Sequence, residues 1–150
     1  MRETVKTLMW ALLCGAAIST MVGCHRTPDE LLIRQAIEHA ATAAEATDAS
    51  GLGDQLTDDF DGNGGDLERK QLMDLLRVAH FRGETIHAVT GPVTVDQRGE
   101  RYVATFTVTL TSGGKLLPVQ IGIYKVVTAW RREGREWRCY SATWNRPAAS

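Results

Sequence analysis

Hydrophobic positions along this chain follow three different rhythms, and each predicts a different kind of segment. From Leu8 to Val22 the residues are continuously apolar or small, a run shorter than the roughly 20 residues that span a bilayer. From Ile33 onward the spacing becomes three and four, with Ile33, Ile37, Ala40, Ala41 and Ala44 on one face, which predicts an amphipathic helix. That helix starts at Thr27-Pro28-Asp29-Glu30, where Thr27 is the N-cap, proline takes the first position and Glu30 completes a capping box. It should reach about Asp48 and break at Ala49-Ser50-Gly51. Its many alanines predict close packing against a neighbour. Leu52 and Leu56 suit a further short helical turn, and Asp58-Asp59-Phe60-Asp61-Gly62-Asn63-Gly64-Gly65 has the composition of a loop. Asp66 can cap a second long helix carrying Leu72, Leu75, Leu76 and Ala79, with His80 at the edge of that stripe.

Beyond Glu84 the period falls to two. Four strands are predicted, over 85–97, 100–111, 119–131 and 135–146. In the second, Tyr102, Ala104, Phe106, Val108 and Leu110 alternate with Val103, Thr105, Thr107 and Thr109, as in a strand with one buried face. Turns fall at Gln97-Arg98-Gly99, Ser112-Gly113-Gly114 and Glu133-Gly134, and Pro118 sits where a third strand can begin. Helices followed by an antiparallel meander define an α+β domain, with the helices packed on one face of a curved antiparallel sheet. No internal repeat is visible.

Composition fits one globular domain: 150 residues, 43% hydrophobic and 23% charged. The first apolar run changes meaning when its flanks are read. Arg2 and Lys6 precede it, and Met21-Val22-Gly23-Cys24 closes it. This resembles the lipobox of bacterial lipoproteins, in which a small residue precedes a cysteine that receives a diacylglyceryl group; Met21 departs from the usual leucine. The resemblance implies a signal peptide over 1–23, removed on export, and a lipidated Cys24, with 24–28 as a short tether, 29–146 as the domain and 147–150 as a tail. More than one acyl chain on Cys24 would hold the protein stably on a membrane. His25 stands where an aspartate retains many such proteins in the inner membrane, so placement on the outer membrane, facing the periplasm, is expected. An uncleaved N-terminal anchor is the competing reading. Loss of 1–23 shifts the formal charge from −1 to −2, which gives no electrostatic basis for binding nucleic acid. Cys139 is the only cysteine left in the domain and reads as a small buried residue of a strand.

The order of helix, short helix, Asp-Asp-Phe segment, helix and long strands, ending in Trp130-Arg-Arg-Glu-Gly-Arg-Glu-Trp137-Arg-Cys-Tyr-Ser, resembles the nuclear transport factor 2-like superfamily, which shares the cystatin-like α+β cone. The final tryptophan hairpin is the most telling piece, and the resemblance covers about residues 29–146. It implies a bent sheet wrapped around a long helix, with a cavity open at one end. Members include isomerases, dehydratases and hydrolases as well as non-catalytic binding or dimerising modules, so the fold alone does not choose a function.

Within such a cone, His80, His87, Tyr124, Trp130, Tyr140 and Trp144 combine aromatic walls with groups that handle protons, and are the candidate pocket residues. His80 and Tyr124 are the catalytic candidates, although a histidine at a helix end more often meets the last carbonyls. Asp59, Asp61 and Asn63 with Gly64 match the first half of an EF-hand calcium loop. Lys70 stands where the bidentate glutamate belongs, so an ordinary loop is the better reading. Arginines 131, 132, 135, 138 and 146 crowd the C-terminal hairpin while Asp54, Asp58, Asp59, Asp61, Asp66 and Glu68 crowd the early segment. A solvated hairpin face accounts for the arginines most simply; anionic lipid headgroups or a partner's acidic loop are the alternatives.

Two functions follow. The first is a membrane-tethered module that binds a small apolar ligand or a protein partner, pairs with a second copy through its sheet, and needs no cofactor. The second is a small isomerase or hydratase with an acid or base inside the cone. An ionisable residue in an otherwise apolar cavity separates them.

Overall fold

The computed structural model describes residues 27–112 and 122–148. The expected signal segment 1–23, the lipidation candidate Cys24 and the Ser112-Gly113-Gly114 turn beyond Ser112 lie outside the described residues, as does Pro118.

Helix α1 covers Pro28–Glu45, and the Thr27 hydroxyl accepts from Glu30 N at 3.3 Å. It ends one turn earlier than its sequence suggests. Asp48 N donates to Ala43 O at 2.8 Å and Thr47 N to Ala44 O at 3.1 Å, with Thr47 at φ 52°. This is the paired closure that normally places glycine at the left-handed position. Ala49-Ser50-Gly51 then continues as a helix instead of breaking one: α2 spans Ala49–Gly53, capped by Asp48.

The Asp58–Gly65 segment is a strand in its first half, not a loop. Strand β1 runs Leu56–Gly62, pairs with β2 (Leu67–Glu68) and lies parallel to β7 (Glu136–Asn145). Leu56 and Phe60 face the core, while Asp58 and Asp59 are exposed. Helix α3 covers Arg69–Phe81, and Glu68 caps it in place of Asp66 through a reciprocal box with Gln71.

The predicted first strand divides into β3 (His87–Thr90) and β4 (Thr94–Arg98). Both pair antiparallel with β5 (Arg101–Ser112). The interruption falls at Gly91, whose N–H donates to Thr107 O at 2.8 Å. A Cβ there would lie 2.4 Å from Thr107 Oγ1, so only glycine allows this approach. Strand β6 spans Gly122–Glu133 and completes the meander between β5 and β7.

The sheet order is β2-β1-β7-β6-β5-β3, with β4 also on β5. It is antiparallel except where β1 meets β7. The curved sheet wraps α1, and a continuous core joins Ile33 and Ile37 of α1, Leu76 of α3, Phe60 of β1 and Tyr102, Trp130 and Trp137 of the long strands. The α+β class with helices on one face of a curved sheet is therefore the fold, and the sheet is mixed.

Candidate ligand cavity

The core does not fill the cone. The second half of α1 turns Ala40, Ala41 and Ala44 inward, and methyl side chains cannot reach the strands opposite. What remains is a cavity of about 300 Å³. Ile37, Leu56, Trp130 and Cys139 form its floor, Leu72 and Leu76 of α3 one flank, and Phe106, Val108, Tyr124, Val126 and Trp144 the sheet wall. The floor residues are buried, whereas Ala41, Ala44, Ala88, Leu110 and Trp144 are half-buried. The opening therefore lies at the C-terminal end of α1.

Polar atoms in the deep part are spent on one another. Trp130 Nε1 donates to Thr128 Oγ1 at 2.8 Å, and that hydroxyl donates to Ala104 O at 3.3 Å. Cys139 Sγ donates to Ser141 O at 3.2 Å, and burial pushes its thiol up to about 12, so it stays protonated and unreactive at neutral pH. Among the described residues, no aspartate, glutamate, histidine, lysine or arginine lines the cavity. At the wall, Tyr124 OH accepts from Arg146 Nε at 3.2 Å.

Of the six sequence candidates, Tyr124, Trp130 and Trp144 border the cavity. His80, His87 and Tyr140 do not. His80 is exposed at the end of α3, with Nδ1 3.0 Å from the hydroxyl of Thr47. It braces the residue that occupies the left-handed position after α1. His87 is exposed on edge strand β3, and Tyr140 lies on the outer face of the sheet with the Arg101 and Arg131 guanidinium groups 5.1 and 5.7 Å from its ring centre.

The oxygens of the calcium candidates Asp59, Asp61 and Asn63 accept hydrogen bonds from within the chain. Both Asp59 oxygens accept from Arg131, at 2.6 and 3.0 Å, Asp61 Oδ1 accepts from Gly65 N at 2.5 Å, and Asn63 Oδ1 accepts from Trp144 N at 2.8 Å. The arginine-rich hairpin meets acidic groups within its own chain: Arg131 with Asp59 and Glu133, Arg132 with Asp29, Arg138 with Glu136.

The alanine stripe was the missed signal. Three inward alanines opposite large aromatic and branched residues mark a void as readily as a close contact. Gly62 is the other missed residue. A Cβ there would lie 2.9 Å from the Trp144 ring, so glycine allows that ring to take its place in the wall.

This arrangement is a nuclear transport factor 2-like, cystatin-like α+β fold, and solved structures agree. An NTF2-like protein from Cytophaga hutchinsonii superposes with a TM-score of 0.68 at 11% identity, over 81% of this chain and 100% of that one. An NTF2-like protein with a cystatin-like fold from Novosphingobium aromaticivorans gives 0.66 at 18% identity, over 81% and 84%. An NTF2-like protein of unknown function from Pseudomonas putida gives 0.59 at 20% identity, over 77% and 84%. No protein-family model and no curated protein matches the sequence. The likeness establishes the fold, which serves both binding proteins and enzymes.

Proposed function

We propose that this chain is a lipid-anchored lipoprotein of the bacterial cell envelope, held on the outer membrane by Cys24 and facing the periplasm, whose domain binds a small apolar ligand without transforming it. The observation that carries the binding role is the apolar cavity of about 300 Å³, at the small end of the range typical of ligand pockets. An isomerase or hydratase needs a proton-handling group in contact with its substrate. Among the described residues, the titratable groups of the lining are the Tyr124 hydroxyl and a thiol that stays protonated; Gln55, Thr90 and Thr128 add a neutral amide and hydroxyls. The anchor rests on the Met21-Val22-Gly23-Cys24 sequence. A second copy could pair through the outer face of the sheet, where Val89, Thr109 and Ile123 align across β3, β5 and β6 and the two aliphatic side chains are exposed.

Titrating the full chain in phosphatidylcholine nanodiscs with octan-1-ol, against empty nanodiscs, tests the cavity. Saturable binding should vanish in Ala41→Trp, which fills the opening. Equal binding by the natural chain and this variant would put the ligand elsewhere. For the anchor, metabolic labelling with an alkyne fatty acid should disappear in Cys24→Ser, and persistent label would overturn the assignment.

A further inference from the structure

We infer that the cavity takes an uncharged molecule, mostly hydrocarbon, that carries a neutral oxygen function such as an alcohol or a ketone, met by the Gln55 amide and the Thr90 hydroxyl. The inference rests on the binding role proposed above and names the chemical class of the ligand.

The lining excludes charge. Among the described residues it holds no lysine, arginine or histidine to meet an anion, and no aspartate or glutamate to meet a cation. A carboxylate or ammonium drawn inside would give up its water for no counter-ion, and would enter only by becoming neutral. Most polar atoms of the lining are already committed. Trp130 Nε1 donates to the Thr128 hydroxyl, that hydroxyl to Ala104 O, and Cys139 Sγ to Ser141 O. At the wall the Tyr124 hydroxyl accepts from Arg146 Nε.

Two neutral groups of the lining remain. Among the described residues, the Gln55 side-chain amide and the Thr90 hydroxyl make no hydrogen bond. Both residues are half-buried. Gln55 is fixed just before β1, where its N–H donates to Leu52 O at 3.0 Å and its carbonyl accepts from Cys139 N at 2.9 Å, beside the floor. Thr90 closes β3 opposite Val108 of β5; it lines the cavity with Ala88, while Val89 between them is exposed. The two groups thus stand on different sides of the void, one against β7 and one on the edge strand. Gln55 also borders a surface groove beside the exposed Gln35 and His39, which keeps its amide in reach of water when the cavity is empty.

A pure hydrocarbon seated here would strip water from an amide and a hydroxyl and return nothing. An alcohol or ketone oxygen returns a partner, because the amide offers both donors and an acceptor and the hydroxyl one donor and two lone pairs. A site furnished with such groups selects the molecule that pairs with them over the analogue that lacks the oxygen.

Three probes of one chain length separate the classes: octan-1-ol, oct-1-ene and octanoate, titrated at neutral pH into the full chain in phosphatidylcholine nanodiscs, against empty nanodiscs. Octanoate, ionised at that pH, should bind about tenfold more weakly than octan-1-ol, or weaker still. Gln55→Leu should weaken octan-1-ol about fivefold while oct-1-ene binds as tightly or tighter, and Thr90→Val should move the pair the same way by about twofold. Retained oct-1-ene binding shows that the cavity is still formed. Octanoate binding as tightly as octan-1-ol, or a ratio of octan-1-ol to oct-1-ene affinity that neither substitution changes, would overturn the inference while leaving an apolar pocket. Failure of all three probes to bind the natural chain would overturn the binding role itself.

Discussion

The two ends of the cone are built from the same helix and the same long strands, yet one is solid and the other hollow. At the solid end Ile33 is fully buried, Tyr102 and Trp137 meet edge to face at 5.1 Å, and Trp137 Nε1 donates to Asp29 at 3.0 Å. At the hollow end Ala40, Ala41 and Ala44 look across at Val108, Leu110 and Trp144 with space between. Isoleucine near the start of α1 and alanine near its end are enough to make the difference. Side chains facing a void lose dispersion partners on one side, so the solid end should carry stability and the hollow end should trade it for room.

Substituting one residue at the floor and one at the opening puts this contrast to the test. Trp130→Ala, at the floor where the two ends meet, removes a side chain that is 2% exposed and strips the Thr128 hydroxyl of its indole partner. It should cost about 3–5 kcal/mol in urea unfolding; a loss below about 1 kcal/mol would show that the floor is as loosely filled as the opening. Ala44→Leu should go the other way, stabilising by about 0.5–2 kcal/mol as it fills space, while octan-1-ol binding falls. Destabilisation by that substitution would mean the opening is already tightly packed. The smallest effect concerns the outer face. The Arg131 guanidinium holds Asp59 at about 2, below its ordinary 3.8. The unfolded chain therefore binds more protons than the folded one between those values. This contribution is complete above about pH 4 and is lost as the pH falls through 2. Asp59→Asn should flatten the fall of the urea midpoint between pH 4 and pH 2, and parallel profiles for the two proteins would remove this pair from the account.

What could be read in advance depended on how local the cause was. The alternation from Tyr102 to Leu110 is a property of neighbours in sequence, and β5 follows it, with Tyr102, Ala104 and Phe106 buried. Strand β1 was hidden because Asp58, Asp59 and Asp61 are poor strand formers. Two of their charges are met only from a distance, Asp59 by Arg131 and Asp58 by Arg69 at 3.9 Å. Its parallel partner β7 begins more than 70 residues later, and no local pattern announces such a pairing. His80 and His87 attracted attention through their chemistry, but their positions at a helix end and on a sheet edge turn them to solvent. Tyr124, Trp130 and Trp144 could be found because bulky residues alternate toward the inside of a long strand. The hollow itself is a matter of summed volumes across three elements, which pattern alone does not measure.

Helix α1 also acts as a ruler. Its rise between Thr27 and Ala44 is about 25 Å, with the chain entering at the solid end and the cavity opening near the other. Three residues reach at most about 10 Å, so a lipid on Cys24 would seat the solid end against the bilayer and turn the cavity outward, like a cup on a short stem. On that geometry the cup would be filled and emptied from the aqueous compartment or by a soluble carrier, and the bilayer holding the stem would not be the reservoir it draws from.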